Sequence, residues 1–229
     1  MIKNYPQFSF GFAIIAFAEL FAIVNGFDEL RYLTKSAICI SLIIFIIFSV
    51  KRKGRFTKRI IGGLFFSLLG DIFLMLPIHT DTFFICGMAA FLTAHLFYIF
   101  AFYVDASNKV KVEHRNVLPV FLVYMTFCVS VFLYLRPYLG ALKIPIMVYC
   151  FVITMMGIMA ALRYGKTNFR SFKWICWGSV LFIISDTILA YNKFVAQVNY
   201  APLIIMVTYM GAQFLITTGT VERKYVKKN

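Results

Sequence analysis

Apolar residues run along this chain in eight long blocks, at about 8–25, 32–50, 60–77, 83–103, 117–135, 141–162, 173–191 and 200–220, with short polar stretches between them. Each block approaches the roughly 20 residues that a helix needs to cross a bilayer. Inside the blocks the apolar positions are continuous and not alternating, which selects helices over the strands of a membrane barrel. The expected fold is an all-α membrane protein, an eight-helix transmembrane bundle. It forms a single polytopic domain over 1–229, with almost nothing left over for a soluble domain. The first block lacks a small-residue cleavage site and carries Glu19, so it is expected to be a retained span and not a signal peptide.

Polar residues interrupt these blocks at few places, and the interruptions are patterned. Glu19, Asp71 and Asp186 each sit well inside an apolar run. An ionisable group there costs a few kcal/mol at least and persists where it faces the bundle interior and has a task. Gly63, Ser67, Gly70 and Asp71 recur at helical spacing, giving the third span one small, polar stripe; Gly178, Ser185 and Asp186 do the same for the seventh. Small residues let helices approach closely, which turns both aspartates inward. Each lies about 11 to 13 residues from the basic end of its span, or roughly 16 to 20 Å, so the two share one depth. At an offset of 115 Lys58 matches Lys173, Gly63 matches Gly178, Asp71 matches Asp186 and Leu74 matches Leu189. One reading of that offset is two parallel four-helix halves; the other is chance likeness between two apolar helices.

Composition agrees with the pattern. Hydrophobic residues make up 62% of the 229 positions and charged residues 14%, and the mean hydropathy is +0.84. A net charge of +14 would suggest a nucleic-acid partner in a soluble protein. Here 18 of the 23 Lys and Arg fall in the segments on the side of the termini and 5 on the other. The positive-inside rule therefore accounts for the charge without a polyanion and puts both termini in the cytoplasm. The expected location is the plasma membrane, the inner membrane of a bacterial cell. The basic rim is expected to attract anionic membrane lipids. The five cysteines are scattered through apolar runs at no metal-ligand spacing and read as packing residues. Oligomeric state is left open.

Further polar groups converge on the layer of the aspartates. His95 and Tyr98 share a face of the fourth span; Tyr209, Gln213 and Thr217 share one of the eighth. Tyr149 lies in the outer half of the sixth and Lys35 just inside the outer end of the second. An all-histidine zinc site is excluded because His79 and His114 fall in loops on opposite sides, so no metal or other cofactor is expected. A serine hydrolase could use Ser67 or Ser185 with His95, but there is no G-x-S-x-G elbow. Two carboxylates without a metal suit acid/base chemistry through an oxocarbenium-like state, in which one delivers a proton while the other stays ionised. Asp71, Asp186 and His95 are the candidate catalytic residues, expected to line one cavity. A proton-coupled transporter or lipid flippase, or a lipid sensor, would also bury such residues. The chain shows no inverted repeat and no Gly/Pro-broken span to favour transport.

The strings F-S-L-L-G-D-I-F-L-M, F-L-x-A-H-L-x-Y, L-F-x-x-S-D-x-x-L-A and G-A-Q-x-L-I, ending at Met75, Tyr98, Ala190 and Ile216, resemble those of the lysoplasmalogenase (YhhN-like) family. The resemblance covers nearly the whole chain, with the paired G-D and S-D motifs as its most specific part. It implies an intramembrane hydrolase that cleaves the vinyl ether bond of a lysoplasmalogen to a fatty aldehyde and a glycerophospho-ethanolamine or -choline. Carried across, Glu19, Lys35, Tyr98, Tyr149 and Gln213 become candidate substrate-binding residues beside the catalytic three. One departure is Ser36, where many relatives have proline after the lysine.

Overall fold

The computed structural model describes residues 5–51, 53–76, 81–108 and 117–225. Eight α-helices lie among them: α1 (Pro6–Asn25), α2 (Asp28–Ser49), α3 (Arg55–Met75), α4 (Asp81–Ala106), α5 (Leu118–Leu135), α6 (Lys143–Ala161), α7 (Phe169–Phe194) and α8 (Ala201–Val221). Two 3-10 turns link α5 to α6, and the described residues hold no strand beyond one isolated bridge between Thr167 and Tyr225. Seven of the helices are long and apolar enough to span a membrane unaided. The eighth, α3, carries Lys58, Arg59 and Asp71 along its length, and its inward face is made of Gly63, Ser67 and Gly70. It packs inside the bundle against α4 and α2. Outside, large apolar side chains stand open, Phe48 at 82% and Phe17 at 71%. An apolar surface of that extent matches a hydrocarbon solvent. The predicted loop residues His79 and His114 lie outside the described residues.

Two helix pairs form the centre, α3 with α4 and α7 with α8. Glycines decide how close they come. A Cβ on Gly63 would fall 2.3 Å from the Tyr98 ring, one on Gly70 2.6 Å from the Phe91 ring, and one on Gly178 2.9 Å from the Ala212 carbonyl. Helix α2 packs on α8 and α6 packs on α4, contacts that the 115-residue offset exchanges. Tyr98 and Gln213, equivalent under that offset, hydrogen-bond to each other at 2.7 Å. Helix α5 is peripheral, with only Cys128 and Leu135 buried.

Alternating helix direction gives the bundle two faces. On the terminal face, where α1 starts and α8 ends, a buried ion cluster ties four elements together. Asp105 at the end of α4 accepts from Arg163 Nε at 2.9 Å and from Arg223 Nε at 2.9 Å. Arg163 lies against the rings of Phe56 and Phe102 and donates to Ser171 Oγ at 2.9 Å, and Ser171 donates to the Gly219 carbonyl at 2.7 Å. Burial pulls Arg163 below the ordinary guanidinium value, and Asp105 opposes that pull. On the opposite, distal face, Tyr32 at the start of α2 donates to the Met75 carbonyl at the end of α3.

Candidate functional site

Asp71 lies 16 residues into α3 and Asp186 17 residues into α7, so both side chains sit in the half of the bundle nearer the distal face. Their surroundings differ. Asp71 is 1% exposed and fully engaged: Tyr209 donates to Oδ2 at 2.6 Å, Lys35 Nζ lies 3.4 Å from Oδ1, and Cys39 Sγ is 3.8 Å from Oδ2. The network continues inward. Gln213 Nε2 donates to the Tyr209 hydroxyl at 3.4 Å, and Tyr98 donates to Gln213 Oε1. A lysine beside a buried carboxylate offsets the desolvation of both, and removing either strands the other.

Asp186 faces open space. Tyr149 donates to its Oδ2 at 2.5 Å, and His95 Nε2 lies 3.7 Å from the same oxygen, so Oδ1 takes part in neither contact. Asp186 and Tyr149 line a pocket, partly open to the surroundings, between α4, α5, α6 and α7 and the end of α3. Apart from Asp186, Tyr149, Thr187 and Cys150, every lining side chain is aliphatic, aromatic or thioether. An apolar pocket with a few convergent polar groups is the usual form of a small-ligand site.

Aromatic rings separate the two carboxylates. Tyr209, bonded to Asp71, meets Phe182 and Phe91 edge-on at 5.5 and 5.9 Å, and Phe91 is part of the cavity wall. His95 stands edge-on to Phe182 and Tyr149 at 4.7 and 5.4 Å. It is fully buried, and neither ring nitrogen has a hydrogen-bond partner among the described residues. Neither serine thus engages it as a base: Ser185 donates to the Ile205 carbonyl and Ser67 is fully buried.

Of the eight residues singled out from sequence, Asp186 and Tyr149 line the cavity, with His95 directly behind them. Asp71, Lys35, Tyr98 and Gln213 form the adjoining buried network. Glu19 lies further toward the distal face, accepting from Thr34 at 2.5 Å with Arg31 Nε at 3.7 Å. The shared cavity expected for both aspartates is walled by one of them. Sequence reasoning missed the part played by Tyr209 and Cys39. The signal for Tyr209 was its place four residues before Gln213 on one helical face. Among the described residues no cluster of His, Cys, Asp and Glu could hold a metal ion.

The model of the YhhN family matches residues 30–220. The chain is 30% identical over 197 residues to lysoplasmalogenase TMEM86B of Sus scrofa, covering 86% of this chain and 78% of that protein. It is 29% identical over 230 residues to its counterpart in Rattus norvegicus, covering 99% and 90%. A lysoplasmalogenase of Mycobacterium bovis is 29% identical over 171 residues, covering 72% and 61%. No solved structure matches.

Proposed function

The chain belongs to the YhhN family, and from that premise we propose that it is a lysoplasmalogenase, an integral membrane hydrolase that cleaves the vinyl ether of a single-chain ether phospholipid. The observation that carries the reading is a single carboxyl group, Asp186, set in the wall of an otherwise apolar cavity and held by Tyr149. Hydrolysis of a vinyl ether begins when an acid protonates the β-carbon. The carbon bearing oxygen becomes an oxocarbenium ion, water adds to it, and the hemiacetal collapses to aldehyde and alcohol. Carbon is a poor base, so the acid must be positioned and the site dry.

Asp186 supplies the proton. Tyr149 and His95 both face Oδ2, which fixes the carboxyl and leaves Oδ1 for the substrate. Asp71, paired with Lys35 and Tyr209, contributes fixed negative charge behind the cavity wall, where a developing cation gains from it. The Asp186 carboxylate left by this step takes back the proton released as water adds to the cation, and His95, 3.7 Å behind Oδ2, acts through it. Glu19, Tyr98 and Gln213 hold this interior layer in register. The crowding of described Lys and Arg at the terminal face supports a reading with both termini in the cytoplasm.

The test compares two isosteric variants by aldehyde release from a lysoplasmalogen. Asp186→Asn should lose roughly 10²- to 10⁴-fold in kcat, the share of a positioned acid. Asp71→Asn should lose less, because it acts through space. Wild-type turnover by Asp186→Asn would remove this aspartate from the chemistry.

A further inference from the structure

Given this hydrolase reading, we infer that the substrate is drawn from the leaflet on the distal face, with its phosphate at the rim formed by the ends of α5 and α7 and the start of α6. Every element lining the cavity contributes its distal part: the ends of α3, α5 and α7 (Leu74, Leu135, Phe194) and the beginnings of α4 and α6 (Phe84, Ile146). Asp186 is eight residues before the distal end of α7, or roughly 12 Å, and 17 residues from its terminal-face start, or roughly 25 Å.

Substrate dimensions decide between the two faces. Seven bonds separate the phosphorus of a lysoplasmalogen from the β-carbon of its vinyl ether, an extended reach of roughly 9 Å at about 1.25 Å of advance per bond along the zigzag. A phosphate at the distal rim, met by a lysine or arginine side chain reaching inward, sets the β-carbon beside Asp186. From the terminal face the same lipid falls short by more than half the distance. A headgroup dragged that far inward would be a charge in hydrocarbon.

The rim itself is built for an anion. Of the five Lys and Arg on the distal side, three lie close in sequence to lining residues: Arg136 follows Leu135, Lys143 precedes Ile146 by three, and Lys193 precedes Phe194. Lys193 Nζ lies over the Phe84 ring at 5.1 Å, and Phe84 meets Phe194 edge-on at 5.7 Å, so a cation and two rings frame the opening. Toward the bilayer centre Phe91, Ile153 and Ile183 extend the lining, in the direction the hydrocarbon tail of a distal-leaflet lipid points.

The experiment is sided. The full chain is reconstituted into vesicles and sorted into preparations with termini inside or outside by protease access to a tag at the C-terminus. Lysoplasmalogen is added to the outer leaflet, and aldehyde is followed before the lipid crosses. Initial rates should be at least roughly tenfold higher with the termini inside, because a polar headgroup crosses hydrocarbon slowly. Equal rates, or faster cleavage with the termini outside, would overturn the leaflet assignment while leaving the hydrolase intact. Both preparations are also assayed after solubilisation in detergent. Equal activity there confirms that sidedness alone separates them; no aldehyde from either would overturn the hydrolase reading and the assignment with it.

Discussion

Replacing Tyr149 by phenylalanine probes the acid without touching it. The ring stays, and with it the edge-on contact to His95 and the cavity wall. Lost is the hydroxyl that donates to Asp186 Oδ2 at 2.5 Å, which is the one hydrogen bond to that carboxyl among the described residues. A hydrogen bond to a charged group contributes about 1.5–3 kcal/mol. If that bond fixes the carboxyl for proton delivery, its loss appears in the transition state, and kcat should fall by roughly 10- to 100-fold at about 1.4 kcal/mol per decade. KM should change little, because the apolar lining is conserved. Purified wild-type and variant protein would be compared by coupling aldehyde release to a dehydrogenase and following nicotinamide absorbance across substrate concentrations. A wild-type kcat, or a loss confined to KM, would refute the claim that Tyr149 orients the acid.

Other perturbations separate architecture from chemistry. Asp105→Asn leaves the buried Arg163 and the partly buried Arg223 without their shared counter-charge and should destabilise the bundle by about 3–5 kcal/mol, read as a lower unfolding temperature in detergent, while activity per folded molecule is retained. Gly63→Ala places a methyl 2.3 Å from the Tyr98 ring and should cost about 1–3 kcal/mol by the same assay; an unchanged midpoint would mean that α3 and α4 have slack there. Lys35→Met removes the cation 3.4 Å from Asp71 and should lower both stability and kcat, with Lys35→Arg recovering part of each.

Helix number and the position of the acidic residues along their helices were legible because both are local. Apolar blocks mark helices, and counting from the basic ends put Asp71 and Asp186 level, as their 16- and 17-residue positions in α3 and α7 bear out. The Gly63 and Gly178 stripes were legible for the same reason: one helical period brings small residues to one face. Partner choice was not local. Tyr209 reaches Asp71 across 138 residues, and Arg163 reaches Asp105 across 58; the rotation of packed helices sets these pairings, and no periodicity within one helix encodes them. Arg163 in particular counted only as one more basic residue beyond a span, although it is fully buried between two rings. The inequality of the aspartates was hidden as well. Similar stripes surround both, and only the outward position of α5 and the spread of α4, α6 and α7 around Asp186 open a cavity there.

Proton delivery to carbon is the core of the account, and it leaves an isotopic record. The purified protein would be incubated with a lysoplasmalogen in deuterium oxide, and the aldehyde trapped at early times and weighed by mass spectrometry. It should carry one deuterium on the carbon next to the carbonyl, and the saturated alkyl-ether analogue should bind, inhibit and remain uncleaved. Aldehyde free of deuterium, or cleavage of the saturated ether at a comparable rate, would contradict a mechanism in which Asp186 protonates the vinyl ether.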